Sequence, residues 1–591
     1  MSVTRLFDLI DNYQAKYAWK KDALADKVNG QWAPVSASTF IETVNLVSYG
    51  LKAMGFKPGE KIATLSNNRS EWNFLDLGMM RIGGIHVPIY PTIAEADLQF
   101  ILKDAEVKFV FVSNAELYQK VERVCKDLPH IQGIFSFDEN TGAKSWKEIT
   151  HMGSRNLDPD GVKAISDTIQ PNDLATLLYT SGTTGVPKGV MLSHYNILSQ
   201  IISCQTLAPV TPQSRALSFL PLNHVYERVL SYLYMYLGVS IYYAESIEKV
   251  ADNLKEVQPE IFGCVPRLFE KVYDRIVAKG AELTGIKKRL FFWALDLGLK
   301  YEVNGANGWW YELQLKLARK LIFSKWQEAL GGKVKAAVSG GAALQPRLAR
   351  VFWAAEIPIL EGYGLTETSP VIAVNTLESG GLRFGTVGKT IQDVTVRIAE
   401  DGEILCKGPN VMLGYYNRPD LTAEMIDAEG WLHTGDIGVM EEGKYLKITD
   451  RKKEIFKTSG GKYIVPQHIE NMLKESRFIE QVMVIGENQK FPAAFIVPAF
   501  SFLRDWCARK AILQNASIEE LIKDQRVYDR IQKEVDAINA RLGSYEAIKK
   551  FVLLSKEWTI DAGELTPKLS LKRRVIMQQQ SAAVERIYAE K

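Results

Sequence analysis

Disulfides, zinc clusters and membrane spans all lack their signatures in this 591-residue sequence. Its five cysteines, Cys125, Cys204, Cys264, Cys406 and Cys507, are odd in number and scattered, with no Cys-x-x-Cys pair. That argues against a disulfide framework and a zinc site, and it fits a reducing cytoplasm. Charge of one sign is missing too: 72 Lys+Arg stand against 69 Asp+Glu. A dedicated nucleic-acid binder needs a basic excess to neutralise phosphates, so none is expected. The N-terminus, Met1-Ser2-Val3-Thr4-Arg5-Leu6-Phe7-Asp8, has neither the apolar core nor the small-residue cleavage site of a signal peptide. The apolar, uncharged run at 229–244 falls short of the ~20 residues that cross a bilayer. Gly238 divides that run into a helix-like and a strand-like half. No transmembrane segment is expected, and no internal repeat or low-complexity tract stands out.

What is present is an alternation. Short β-branched or aromatic runs at 61–66, 109–113, 174–179, 335–339 and 358–361 alternate with longer amphipathic segments through the first 450 residues. This rhythm predicts buried, mostly parallel strands with helical crossovers, an α/β fold. After Thr390, short strands at 394–398, 403–407 and 444–449 are separated by the turns Glu400-Asp401-Gly402 and Glu442-Gly443. They predict a small antiparallel β unit. The charged cluster Asp450-Arg451-Lys452-Lys453-Glu454 then precedes a helix over 466–475 and strands over 482–485 and 493–497. The expected organisation is a large N-terminal domain, 1–449, of several mostly parallel sheets and a small β unit. A small, mobile α+β C-terminal domain, 450–591, follows.

The strongest local signal is Leu178-Tyr179-Thr180-Ser181-Gly182-Thr183-Thr184-Gly185-Val186-Pro187-Lys188-Gly189, placed after a predicted strand. Its glycines let backbone N–H groups approach an anion, the hydroxyls of Thr180, Ser181, Thr183 and Thr184 add donors, and Lys188 adds a point charge. Physically this is a phosphate cradle. It is not a P-loop, because Gly189 stands where a Ser or Thr would hold magnesium.

On this motif the sequence resembles the adenylate-forming superfamily of acyl-CoA synthetases, adenylation domains and luciferases, and later segments match in the family's order over nearly the whole chain. Glu361-Gly362-Tyr363-Gly364-Leu365-Thr366-Glu367 is similar to its second nucleotide motif. The resemblance implies that Tyr363 lies against adenine, Thr366 contacts the α-phosphate and Glu367 holds Mg2+, a hard ion suited to a carboxylate. By itself a Thr-Glu pair after a strand reads as a helix cap. Ser339-Gly340-Gly341-Ala342 resembles the segment beside the adenine and acyl pocket, and it also reads as a tight turn. Trp431-Leu432-His433-Thr434-Gly435-Asp436 is similar to the motif whose aspartate grips the ribose hydroxyls, a task a carboxylate suits. Arg451 is implied to support ribose or phosphate and Asp450 to be the hinge, although such a charge cluster is ordinarily solvated surface. Gly460, Gly461 and Lys462 resemble the loop that borders the coenzyme A pantetheine arm, and equally a turn entering the helix at Pro466.

Three segments resemble the long-chain subgroup: Leu220-Pro221-Leu222-Asn223-His224-Val225-Tyr226-Glu227-Arg228, with His224 implied near the reacting carboxylate, Cys264-Val265-Pro266-Arg267-Leu268-Phe269-Glu270-Lys271, and the helical segment 287–330 that follows. A lone histidine is more often a structural hydrogen-bonder. One departure is clear. Where the family places a catalytic lysine three residues after a proline, this chain has Ser570 after Pro567. Lys568 and Lys572 flank it and share its side of an extended chain, so one of them, Lys568 preferred, is expected to substitute.

The resemblance implies ATP-dependent activation of a long-chain fatty acid through an acyl-adenylate, then thioester formation with coenzyme A. The alternatives are an aryl or medium-chain ligase, a module feeding a carrier protein, and a catalytically weakened lipid-binding or uptake protein, for which Ser570 speaks. Residues 287–330 mix Phe291, Phe292, Trp293, Trp309, Trp310 and Trp326 with lysines and arginines. They read first as a helical hairpin with its lysines in water, and second as a surface resting on an anionic membrane. A cytoplasmic protein, peripherally membrane-associated at most, is expected.

Overall fold

The computed structural model describes residues 3–181, 186–452, 454–513, 516–559, 562–565 and 571–589, with Ser181 given by its backbone alone. The chain forms two compact units. One comprises 1–397, 405–433 and 441–446; the other comprises 398–404, 434–440 and 447–591.

The first unit contains two large sheets. An eight-stranded sheet runs in the order Gly414–Tyr415, Pro187–Ser193, Leu174–Ser181, Ile85–Ile89, Lys61–Leu65, Val107–Val112, Gly133–Ser136, Lys144–Ser145. Its middle strands are parallel. Ile62, Ala63, Val87, Val110 and Phe111 are wholly buried there, as expected where helices cover both faces. That burial is why these strands read as unbroken apolar runs.

A nine-stranded sheet has the order Lys389–Thr390, Val371–Val374, Ile359–Gly364, Ala336–Ser339, Ile261–Cys264, Arg215–Ser218, Ser240–Tyr243, Leu24–Val28, Gln31–Val35. The five strands from 359–364 to 240–243 are parallel. Register pairs Ser339 with Cys264 on one side and with Glu361 on the other. The carboxyl ends of these strands therefore lie together, the edge where open parallel sheets take ligands.

The uncharged run at 229–244 resolves as the sequence suggests. Helix Val225–Leu237 stops at Gly238, whose φ of 72° is left-handed, and strand Ser240–Tyr243 follows. Residues 285–329 form a helical hairpin: Gly285–Leu299, then Trp309–Ala318, a π turn Arg319–Phe323 and Ser324–Ala329. The Tyr311 hydroxyl closes it by donating to the Leu297 carbonyl at 2.6 Å. Phe291, Leu295, Leu315, Phe323 and Trp326 are buried, while Lys287, Lys288, Lys316, Lys320 and Lys325 face water.

In the second unit, strands Ile479–Ile485 and Ala493–Pro498 pair antiparallel and Lys550–Leu553 adds parallel. Alternation puts Val482, Val484, Ala494 and Ile496 on one face, against helices Pro466–Leu473 and Gln525–Asn539. Met483, Ile485, Phe495 and Val497 take the other, against helices Arg573–Gln579 and Ser581–Ala589. Strands Thr395–Ile398, Glu403–Lys407, Leu432–Glu441 and Tyr445–Arg451 line up as a four-stranded sheet, where the turns at 400–402 and 442–443 predict one.

Candidate active site

The phosphate-cradle motif spans a β-hairpin. Leu174–Ser181 and Pro187–Ser193 are antiparallel, with Thr180 opposite Lys188 and Ser181 opposite Pro187. Gly182, Thr183, Thr184 and Gly185, and the side chain of Ser181, lie outside the described residues. Lys188 is half-buried, its Nζ 5.3 Å from the centre of the Tyr415 ring. That ring is delivered by the edge strand Gly414–Tyr415, which pairs with the hairpin through Tyr415 and Val190. The Tyr415 hydroxyl donates to Glu367 Oε1 at 2.9 Å, and the Met412 amide donates to the Glu367 carbonyl at 2.9 Å. Lys188 and Glu367 thus meet on one phenol. Burial first, and the Glu367 charge second, push the Tyr415 phenol far above its ordinary pKa, so it stays a proton donor.

Glu367 arrives by a forced turn. A Cβ on Gly364 would sit 1.5 Å from the Pro370 carbonyl oxygen, so only glycine lets strand Ile359–Gly364 fold back there. The 3₁₀ turn Thr366–Thr368 follows, and its N-terminal amide, that of Leu365, is satisfied by the Thr368 hydroxyl at 2.9 Å. The helix-cap reading of Thr366 and Glu367 therefore fails, because Thr368 performs that task. Thr366 is buried, and Gly362 and Tyr363 are half-buried beside it. Glu361 is buried, and desolvation lifts its carboxyl to about 8 against the opposing Leu344 amide. Across the register from Glu361, Ser339 leads into Gly340, which is buried, and then into exposed Gly341 and Ala342. Gly341 has a φ of 80°.

His224 caps helix Val225–Leu237, its Nδ1 accepting from the Tyr226 amide at 3.1 Å. With Nδ1 an acceptor, the neutral ring carries its proton on Nε2. The Tyr226 hydroxyl donates to the Val338 carbonyl at 2.8 Å, and its ring would lie 3.4 Å from a Cβ on Gly340. The His224 turn and the Gly340 segment are therefore packed together through Tyr226. His224 therefore takes the structural role of a helix cap.

Two further features of this motif escaped the sequence. Arg228 is wholly buried and donates to Thr176 at 2.7 Å and to Asp76 at 2.5 Å. Asp76 also accepts from His86, at 2.6 Å, and from Tyr232. Burial would raise the Asp76 carboxyl, but Arg228 and His86 hold it below its ordinary value. Thr176 belongs to the strand that leads into the phosphate cradle, so one ion network braces that strand against the His224 helix. Glu227 is the second feature. Burial lifts its carboxyl to about 8, and neither oxygen has a well-formed hydrogen bond among the described residues.

The second unit holds its own group. Asp436 is buried, donates its amide to the Thr434 hydroxyl at 3.1 Å, and has Arg451 Nε 3.5 Å from its carboxylate. Arg451 is more than half exposed. Asp450 is buried, accepts from the Arg451 amide through Oδ1, and is pushed to about 6, chiefly by burial. Gly460, Gly461 and Lys462 are exposed at the tip of the hairpin between Phe456–Lys457 and Tyr463–Ile464, with Gly461 at a φ of 75°. Lys568 and Ser570 lie outside the described residues. Lys572 is exposed just before helix Arg573–Gln579, whose first residue is held by both Glu470 oxygens at 2.7 Å.

Comparison with known proteins identifies the family and the fold. Residues 11–416 match the family described as AMP-binding enzyme, and 453–591 match the AMP-binding enzyme C-terminal domain. The chain is 32% identical to the long-chain-fatty-acid–CoA ligase FadD15 of Mycobacterium bovis, over 95% of this chain and 93% of that one. It is 31% identical to the peroxisomal long chain acyl-CoA synthetase 7 of Arabidopsis thaliana, over 92% and 80%. The fold superposes on an anthranilate CoA ligase, AuaEII, solved with anthranoyl-AMP, with a TM-score of 0.72 at 18% identity, covering 98% of each chain. With its cradle hairpin, its Glu367 turn and both family domains matched along its length, this chain belongs to the AMP-binding enzyme family.

Proposed function

We propose that the protein is an ATP-dependent, AMP-forming long-chain fatty acid–CoA ligase. An oxygen of the fatty carboxylate attacks the α-phosphorus of ATP in line. The new O–P bond forms as the bond to pyrophosphate breaks. The sulfur of coenzyme A then attacks the acyl carbon, giving the thioester and releasing AMP. Lys188 and the hydroxyls of Thr180, Ser181, Thr183 and Thr184 hold the departing pyrophosphate, and Thr366 holds the α-phosphate. Tyr363 lies against adenine in a frame formed by Gly340, Gly341, Ala342, Glu361, Gly362 and Gly364. Asp436 takes the ribose diol with Arg451, and His224 orients the acid. Lys568 or Lys572 serves adenylation, while Gly460, Gly461 and Lys462 border the pantetheine arm. The functional boundary is set at Asp450, the pivot between 1–449 and 450–591.

Magnesium fits the residues present. Among the described residues Glu367 has one oxygen held by Tyr415 and no hydrogen bond to the other, and a single carboxylate completed by phosphate oxygens is the usual magnesium arrangement. When bound, the ion would neutralise phosphate charge. The observation that carries the proposal is the convergence of Lys188 and Glu367 on Tyr415, beside the carboxyl end of a parallel sheet. We place the enzyme in the cytoplasm, meeting lipid peripherally through 287–330; all five cysteines are free. No helix among the described residues is long and apolar enough to cross a membrane. The test is pyrophosphate release with acids of graded chain length, with and without coenzyme A. Release driven by long-chain acids supports the proposal, and absence of any acid-dependent release sinks it.

A further inference from the structure

The hairpin at 285–329 uses only one side of its second arm for packing. Leu315, Ala318, Phe323 and Trp326 are buried, with Trp326 edge-on to Phe323 and Phe352. The opposite side is apolar as well, and it is bare. Trp309 is 78% exposed, Trp310 59%, Leu313 54%, Leu317 50% and Leu321 46%. Residues 309, 313, 317 and 321 are spaced by four, so they form a ladder up one side of the helix. In a plain α-helix such a ladder drifts by about 40° per step. The π turn at Arg319–Phe323 fits more residues into a turn and offsets that drift, and Leu321 stays exposed.

Lysines accompany the ladder. Lys316 and Lys320 are exposed three residues after Leu313 and Leu317, on the same side, and Lys325 follows. The other arm opens with exposed Ile286, Lys287, Lys288 and Arg289. Residues 285–329 hold eight basic side chains against four acidic ones, a larger excess than the +3 of the entire chain.

We propose that this ladder is a docking face for an anionic lipid surface. Tryptophans favour the headgroup level, and the leucines enter the acyl boundary. The lysine stems lie along the apolar ladder while their ammonium groups reach outward to lipid phosphates. The charge of the patch selects this occupant, because an apolar protein partner would not call for a basic flank. The proposal rests on the ligase reading only for its benefit, delivery of a water-insoluble acid, and its test is separate.

Full-length protein is sedimented with vesicles of phosphatidylcholine alone or of an equimolar mixture with phosphatidylglycerol. The mixed vesicles should carry down at least about tenfold more protein, with a blue shift in tryptophan emission. The double variant Leu313→Glu/Leu317→Glu should lose that binding yet keep pyrophosphate release on a long-chain acid supplied in detergent micelles. Lys316→Glu/Lys320→Glu should lose the preference for anionic vesicles. Protein that stays in the supernatant with mixed vesicles overturns the proposal. So does equal sedimentation of the leucine double variant, or a leucine variant that differs only by dissociating a dimer in light scattering. Failure of acid-dependent pyrophosphate release in the native protein would instead sink the ligase reading and leave vesicle binding to stand alone.

Discussion

Tyr415 performs a task that its neighbours in sequence do not announce. No sequence motif marks Gly414-Tyr415, and only pairing with the cradle hairpin brings the phenol to Glu367 and Lys188. A hydrogen bond to a charged group contributes roughly 1.5–3 kcal/mol. Tyr415→Phe should therefore lower kcat/KM for pyrophosphate release by about ten- to a hundredfold, and more magnesium should recover part of the loss. A magnesium titration of both proteins checks this. Glu227 offers a second measurement. Its folded pKa of about 8 lies above the ordinary glutamate value, so the folded state holds the proton more tightly than the unfolded chain. Its contribution is complete in acid and is lost as pH rises through about 8. Glu227→Gln, which cannot ionise, should gain in Tm over the native protein as pH is raised toward 8, and the gain should level off beyond it. An advantage that does not change with pH would show that Glu227 is ionised throughout.

Elements show what the sequence could reveal and what it could not. Strands buried on both faces, such as Lys61–Leu65 and Val107–Val112, are legible because burial alone dictates their side chains. The strand that leads into the cradle motif is legible as the apolar run at 174–179, but its antiparallel return at Pro187–Ser193 is not, because pairing is not a local property. The Arg228 network is not: Arg228 and Asp76 are 152 residues apart, and nothing local tells a buried arginine from a surface one. The His224 helix likewise reveals its cap only through geometry. Two tests belong here. Asp76→Ala should destabilise the protein by about 3–5 kcal/mol, because it strands the Arg228 charge in the interior; thermal or denaturant unfolding measures it. Gly364→Ala should nearly abolish pyrophosphate release, since its methyl group cannot coexist with the Pro370 carbonyl. Retention of wild-type rates would show that the turn can open without displacing Glu367.

For the molecule as a whole, the proposed cycle needs two half-reactions that depend on Asp450 differently. Asp450→Pro removes an amide donor and fixes φ at the proposed pivot. Pyrophosphate release should survive, while acyl-CoA formation should fall by about tenfold or more. Measuring both on one preparation decides it, and equal loss of the two counts against the pivot. The mixture of legible and illegible features also has a practical side. Refitting this scaffold to another acid by grafting residues 220–228 from a relative would import an arginine, or remove one, without its counter-ion at 76 or its hydroxyl at 176. A chimera that swaps those positions together should stay soluble where the simpler graft precipitates, so the transplantable module is a discontinuous set of side chains rather than a stretch of sequence.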